Sequence, residues 1–432
     1  MSINRASPLN PGVSKREVWA WAMYDFANSG YTTVVITAVY SAYFVAVVAA
    51  KAAWASFAWS AALAVSYLAI LLSAPILGAY ADLHGAKKRL LALTTLGCVL
   101  GTAALAVPGP GDIALAVIII ALSNFCFGSG ENLIAAFLPE LARGRAMGRV
   151  SGWGWGLGYL GGIVSLSVAL GFIGHIQQAG GGAPEFVPGV MLLTAGLFAL
   201  FALPTFLILR ERAIQRPLQS ALARSAYSRV KDSFAHARTY QDLARFLLCI
   251  VFYQAGIMTV ITLAAVYAQQ AMHFTTHQTI EMILVVNLTA ALGALVFGYV
   301  QDRLGHKLSL ALTLIGWLMM VGLAYTATTH GRFWLAANIA GLCLGASQSA
   351  GRALVGYLSP KSHRAEFFGL WGWAVKFASI LGPMTYGAVV WITAGNHRMG
   401  MLLTGIYFLI GLMVLTAIDV KRGRRAALKR QL

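Results

Sequence analysis

The chain has 432 residues, 59% of them hydrophobic and only 11% charged, with 45 glycines. That composition excludes a soluble globular domain and points to a polytopic membrane protein. The formal charge of +18 would suggest nucleic acid in a soluble protein, but its distribution removes that reading. With the amino terminus set inside, 27 of the 32 Lys and Arg residues fall in alternate loops, three (Lys51, Arg332, Arg398) in the opposite loops and two (Arg352, Lys376) within spans. This positive-inside asymmetry sets both termini in the cytoplasm.

Apolar runs of about 20 residues recur about twelve times, each long enough to cross a hydrocarbon core as a helix. A polar tail, 1–17, contains no signal-peptide core, so span 1 is read as an uncleaved membrane segment. Spans 1 and 2 lie at about 18–49 and 56–80. Span 1 contains Tyr24-Asp25-Phe26-Ala27-Asn28-Ser29. A carboxylate at that depth costs roughly 2.5 to 3.5 kcal/mol on insertion scales and belongs on a bundle interior or a wet cavity. Asp25, Asn28 and Thr32 share one helix face, with Tyr24 beside it.

A tight connection follows, holding Gly78, Asp82, Gly85 and Lys87. Spans 3 and 4, about 90–107 and 113–139, are joined by a turn at Pro108-Gly-Pro-Gly111. Span 4 carries Glu131 and Asn132. Span 5 carries Gly154, Gly158 and Gly162 at i, i+4, i+8, a stripe that lets two membrane helices approach closely. Its G-x-G-x-x-G run follows no strand and is not a dinucleotide site. Span 6 covers about 187–209. The interval 211–243 is a basic linker in which Leu218, Leu222, Ala226, Val230 and Phe234 recur every four residues; an amphipathic helix on the inner leaflet and a plain linker are both open. Spans 7 to 12 follow at about 244–269, 279–300, 308–327, 333–358, 367–392 and 399–418. A basic tail, 419–432, reads as an orientation and lipid anchor.

The second half echoes the first. Gly298, Asp302, Arg303 and Gly305 align with the Gly78, Asp82, Gly85 loop at an offset of 220 residues. At an offset of 221, Gly130 and Glu131 fall on Gly351 and Arg352, Pro139 on Pro360 and Gly161 on Gly382. The correspondence implies two duplicated six-helix bundles, 18–210 and 244–418. The expected fold is therefore all-α, with twelve transmembrane helices in two pseudo-symmetric halves.

Twelve spans with a G-x-x-x-D-x-x-G-x-[KR] loop in each half resemble the major facilitator superfamily. In the first copy Leu83 and Ala86 stand where a basic residue is common, so Lys87, Lys88 and Arg89 would supply the positive charge. The Tyr24 to Ser29 run, together with Phe137-Leu138-Pro139-Glu140-Leu141 and Gly148-Arg149-Val150-Ser151-Gly152, resembles the vacuole-effluxer-like branch, which includes bacterial permeases and fungal vacuolar exporters of neutral amino acids. Short loops fit the bacterial type and a bacterial inner membrane. The resemblance implies that spans 1, 4, 7 and 10 line a central cavity, and that the two Gly/Asp loops stabilise one access state across the seam between halves.

Those four spans carry Asp25, Glu131, Gln254 and Arg352, at depths agreeing within about 5 Å at 1.5 Å per residue. Lys376 in span 11 joins the layer. Both acids lie in the first half and both bases in the second, so pairing across the halves is expected, with substrate or a proton competing for the same groups. Asn28, Asn132 and Gln254 can donate and accept for a polar solute, or act as interhelical glue. Aromatics such as Trp153 and Trp155 read most simply as belts or packing. The four cysteines and nine histidines show no catalytic or metal-ligand spacing. A monomeric secondary transporter of a small solute, amino acids and protons being the candidates, is the leading reading, with no enzymatic activity and no cofactor. A non-transporting receptor or assembly factor and a lipid-acting membrane enzyme are the alternatives.

Overall fold

A computed structural model describes residues 8–49, 54–212 and 240–429. The linker helix expected within 211–243 lies almost wholly outside the described residues. Twelve long helices account for most of the rest. In the first half they are α1 (from Lys15–Gly30), α2 (Ala55–His84), α3 (Lys87–Ala104), α4 (Ile113–Ala135), α5 (Met147–Gln178) and α6 (Ala183–Ile208). The second half holds α7 (Gln241–Met272), α8 (Thr276–Leu304), α9 (His306–Thr326), α10 (His330–Leu358), α11 (Arg364–Ile392) and α12 (His397–Thr416). A short α13 (Val420–Lys429) follows.

Ten of the helices are long and apolar enough to cross a membrane. The two that fall short are α3, which opens on Lys87, Lys88 and Arg89, and α10, which is built of small and polar residues that it buries inside the molecule. Both still pack as members of their bundles. Beyond Gly30, α1 widens into π-helical turns over Tyr31–Ala38 and Phe44–Val48 on either side of a short α-helical Tyr40–Tyr43. Among the described residues no β-strand occurs, only an isolated bridge between Leu9 and Ala142.

The two halves repeat the same packing. In the first, α1 lies against α5 and α6, and α4 against α2 and α3; in the second, α7 lies against α11 and α12, and α10 against α8 and α9. The halves join through α5 on α8 and α2 on α11, again a symmetric pair of contacts. Helix ends are set by local chemistry. Gly85 (φ 57°) and Gly305 (φ 89°) take the positive φ that closes α2 and α8, a conformation costly for residues with a Cβ. Lys88 Nζ then donates to the Leu209 carbonyl at the end of α6 (2.6 Å), and Lys307 Nζ, near the start of α9, donates to Thr416 and Ile418 at the end of α12 (2.8 and 2.7 Å). Cations on exposed carbonyls suit the negative pole of a helix.

The face bearing the start of α1 and the end of α12, here the basic face, is further stitched by the chain itself. Asn10 Nδ2 donates to the carbonyls of Pro139 and Glu140 (3.0 and 2.8 Å). Arg212 forks onto Glu17 (2.6 and 2.7 Å). Glu211 accepts from the Lys87 and Lys88 N–H groups at the start of α3 (2.7 and 3.0 Å). Burial raises the Glu211 carboxyl above its ordinary range, and those two donors act against that rise. On α13, Arg422 forks onto Asp242 (2.8 and 2.7 Å).

Close packing inside each half turns on glycine. A Cβ on Gly161 would strike the Phe26 carbonyl of α1, whereas one on Gly171 of the same helix would meet nothing within 4 Å. Gly161→Ala is expected to destabilise by about 1–3 kcal/mol through overpacking, and Gly171→Ala to be close to neutral, as read by thermal unfolding in detergent. Equal stability of the two variants would contradict this packing.

Candidate functional site

Asp25 and Arg352 meet between the halves. Arg352 Nη1 donates to Asp25 Oδ2 at 2.6 Å, with side-chain exposures of 3% and 11%. The guanidinium spends its other donors on α5: Nε reaches Ser151 Oγ (3.1 Å) and Nη2 the Ser151 carbonyl (2.9 Å). Two indoles flank it, Trp21 at 4.8 Å and Trp155 at 5.2 Å from ring centroid to guanidinium carbon. A buried ion pair persists only when further interactions offset desolvation of both charges, and here Ser151 supplies hydrogen bonds and the two rings cation–π contacts. Gly154 leaves the space: a Cβ there would collide with Arg352 Nη2 and stand 2.5 Å from Asp25 Oδ2 and 2.9 Å from Trp21.

A second pair lies alongside. Lys376 Nζ stands 3.7 Å from Glu131 Oε2, over the rings of Tyr67 (5.3 Å) and Phe127 (6.0 Å). It is looser and wetter, since the Glu131 side chain keeps 27% exposure. Glu131 and Lys376 therefore form an ion pair that is only partly enclosed.

The remaining residues of the expected layer part company. Gln254 Nε2 donates to Gln348 Oε1 (2.7 Å), a bond within the second half, and leaves its own Oε1 without a partner. Asn132 packs across the seam onto Gly372 of α11, with Nδ2 buried and unpartnered. Asn28 is buried. Tyr24 does not face the layer: it is buried, hydrogen-bonds Thr95 Oγ1 (2.8 Å) and packs edge-on against Phe198 and Phe206. It is a core residue of the first half, because the face of α1 that it shares with Tyr31 turns toward α3, α4 and α6 rather than toward α10.

The Gly/Asp connections sit at the basic face and reach across the halves. Asp82 Oδ2 accepts from the N–H of Glu366, the third residue of α11 (2.9 Å), and Asp302 Oδ1 from the N–H of Arg149, the third residue of α5 (3.1 Å). Each aspartate thus caps, in the other half, a helix N-terminus whose first amides lack intrahelical acceptors. Arg149 adds a side-chain pair to Asp302 (3.0 Å). Lys87 binds Glu140 and lies 4.0 Å from Asp82, which ties the first connection to the end of α4. Gly78 abuts the Ala365 carbonyl, and a Cβ on Gly298 would stand 3.0 Å from that of Gly148. Gly85 and Gly305 shape the turns; Arg303 is exposed. Ser349 Oγ also donates to the Gly148 carbonyl (3.3 Å), so the halves touch beside the Asp25–Arg352 pair as well as at the two connections.

Trp21 and Gln348 have no separate signal in the sequence, and Ser151 appears there only within the Gly148 to Gly152 run, since which helices face one another is a property of packing. Trp155 reads there as simple packing and stands instead against the buried cation. Gly154 had a signal, the glycine stripe, but its role is to admit an ion pair as well as a helix.

The family model described as "Vacuole effluxer Atg22 like" matches residues 40–428. The chain belongs to that family. Among similar proteins, the uncharacterized MFS-type transporter YxiO of Bacillus subtilis (strain 168) is 27% identical over 412 residues, covering 92% of this chain and 94% of that protein. Autophagy-related protein 22 of Saccharomyces cerevisiae (strain ATCC 204508 / S288c) is 23% identical over 356 residues, 71% of this chain and 66% of that one. In structure the chain is similar to the human organic anion transporter MFSD10 (TM-score 0.71, 16% identity, 93% and 99% covered). It is also similar to the proton:xylose symporter XylE (TM-score 0.72, 14% identity, 93% and 95% covered). These likenesses show the major facilitator fold, and with the family they make this Atg22-like chain a multi-pass membrane protein of the secondary-transporter class.

Substituting Arg352→Gln should destabilise the protein by about 3–5 kcal/mol by leaving Asp25 buried and unpaired. Gly154→Val should force the same pair apart, so combining the two should cost less than the sum of the single changes. Strict additivity in thermal or denaturant unfolding would mean that Gly154 does not act through this pair.

Proposed function

We propose that this chain moves a small zwitterionic solute, a neutral amino acid, by alternating access coupled to protons, with both termini and the basic face in the cytoplasm of a bacterial cell. The observation that carries the reading is the Asp25–Arg352 pair: opposite charges from different halves, buried where the halves must separate if the basic side is to open.

Rocking of duplicated halves requires contacts that hold on one side and break on the other. On this reading the basic side is closed in the state described and solvent enters the layer from the opposite side, which the 27% exposure of the Glu131 side chain supports. Two ion pairs in one layer offer a cation and a carboxylate together, the complement of a zwitterion. A substrate carboxylate arriving at Arg352 displaces Asp25, and a carboxylate deprived of its cation in a dry layer takes up a proton rather than stand as a bare charge. The substrate ammonium is matched by Glu131. The unpartnered Asn132 Nδ2, Trp155 Nε1 and Gln254 Oε1 are further groups for a polar solute. Asp82 and Asp302 serve as the cytoplasmic lock.

Counterflow of radiolabelled neutral amino acids, peptides and organic anions in proteoliposomes, with and without a pH gradient, tests the substrate class. Amino acids should exchange and the gradient should drive net uptake; exchange of organic anions alone would overturn the assignment. Asp25→Asn should lower gradient-driven uptake far more than exchange, and undiminished driven uptake would remove Asp25 from proton coupling. For the lock, Asp82→Ala with Asp302→Ala should raise maleimide labelling of Ser349→Cys from the cytoplasmic side by roughly tenfold, the loss of two caps at helix N-termini. Unchanged labelling would refute a locking role.

A further inference from the structure

On the outer surface of the molecule, where α1 and α5 of the first half meet α8 of the second, a crevice of about 280 Å³ opens sideways. Its walls are apolar: Trp19 and Ala22 of α1, Trp153 and Leu157 of α5, and Leu295 of α8, with Lys15 at the end nearest the basic face. Lys15 and its neighbour Arg16 are both exposed, and Trp19 is 49% exposed. From Lys15 to Ala22 is about 10 Å along the helix at 1.5 Å per residue. Cations at the start of a span with indoles one to two turns deeper match the order of charge and apolar tail in a membrane leaflet, headgroup above and acyl chain below.

We infer that this crevice binds one anionic phospholipid from the leaflet at the basic face, its headgroup on Lys15 and Arg16 and its acyl chain between Trp19 and Trp153. Charge selects the ligand: a zwitterionic lipid fills the slot equally well but gains nothing from the two cations, each of which is worth roughly a fivefold preference near a membrane surface.

The slot also touches the closed seam. Trp153 Nε1 donates to the Tyr299 hydroxyl (3.3 Å), the Tyr299 ring lies 4.9 Å beneath the Arg149 guanidinium, and Arg149 pairs with Asp302. Leu295 packs where a Cβ on Gly156 would stand, 2.9 Å away. An acyl chain against Trp153 and Leu295 rests on both halves at once, so the bound lipid favours the state in which α5 and α8 stay together.

The full chain, released from bilayers of mixed phosphatidylglycerol and phosphatidylcholine, is examined by native mass spectrometry. One phosphatidylglycerol should be retained in preference to phosphatidylcholine, and Lys15→Gln with Arg16→Gln should reduce that preference by roughly 25-fold. In parallel, phosphatidylglycerol with brominated acyl chains should quench tryptophan fluorescence, with a smaller quench in Trp19→Phe and Trp153→Phe. Equal retention of the two lipids by the unaltered chain, or a preference that survives the double Gln variant, would overturn the site. So would quenching that is the same with both Phe variants. None of these readouts depends on transport.

Discussion

The Asp25–Arg352 pair governs the rest of the molecule because it sits where burial is most expensive and separation most useful. Taking two charges from water costs several kcal/mol each, and the first half supplies most of what offsets it: the Ser151 hydroxyl and carbonyl, the faces of Trp21 and Trp155, and the gap at Gly154. Arg352 itself comes from the second half. The seam between halves is therefore held by one strongly bound guanidinium, by two aspartate caps and by glycines laid on carbonyls. Contacts of that kind are individually short in reach. A small rotation of one half against the other breaks them together, whereas an apolar seam of interdigitated side chains would resist it.

The frame of the protein is symmetric but its chemistry is not. Gly161 closes on the Phe26 carbonyl and Gly382 on that of Ala255, which superposes α5 on α11 at an offset of 221 residues and α1 on α7 at 229. Under the same offsets Tyr24 matches Tyr253, and both phenols nest where a Cβ on Gly130 or Gly351 would intrude. The charged positions break the match: Asp25 answers to Gln254, Glu131 to Arg352 and Trp155 to Lys376. The contact of Arg352 with Trp155 is thus the counterpart of the contact of Glu131 with Lys376. One ancestral pair of facing positions has become an ion pair on one side and a cation over an indole on the other.

Much of this was legible in the sequence. The apolar runs place the helices, the offset of about 220 residues exposes the duplication, and the depth of Asp25, Glu131, Arg352 and Lys376 places them in one layer. The partners were not legible, because a helix wheel states which residues share a face and not which helix that face meets. Tyr24 is adjacent to Asp25 in sequence yet turns into the first half, while Gln254 donates to Gln348 within its own half. The strap formed by Glu211 and Arg212, and the anchoring of Asn10, depend on loop conformation that no periodicity encodes.

The π-helical turns of α1 have a consequence for how that helix presents itself. Each i to i−5 closure, as in Val39 to Val34 and Ala49 to Phe44, holds one residue more than an ordinary turn. Every such surplus residue advances the azimuth of all that follow by about 100°. Asp25 lies before the widened turns and Tyr40 beyond the first of them. The far third of α1 is thus phased independently of the third that holds the carboxylate, and a single periodic projection drawn through the whole helix would assign its distal side chains to the wrong neighbours.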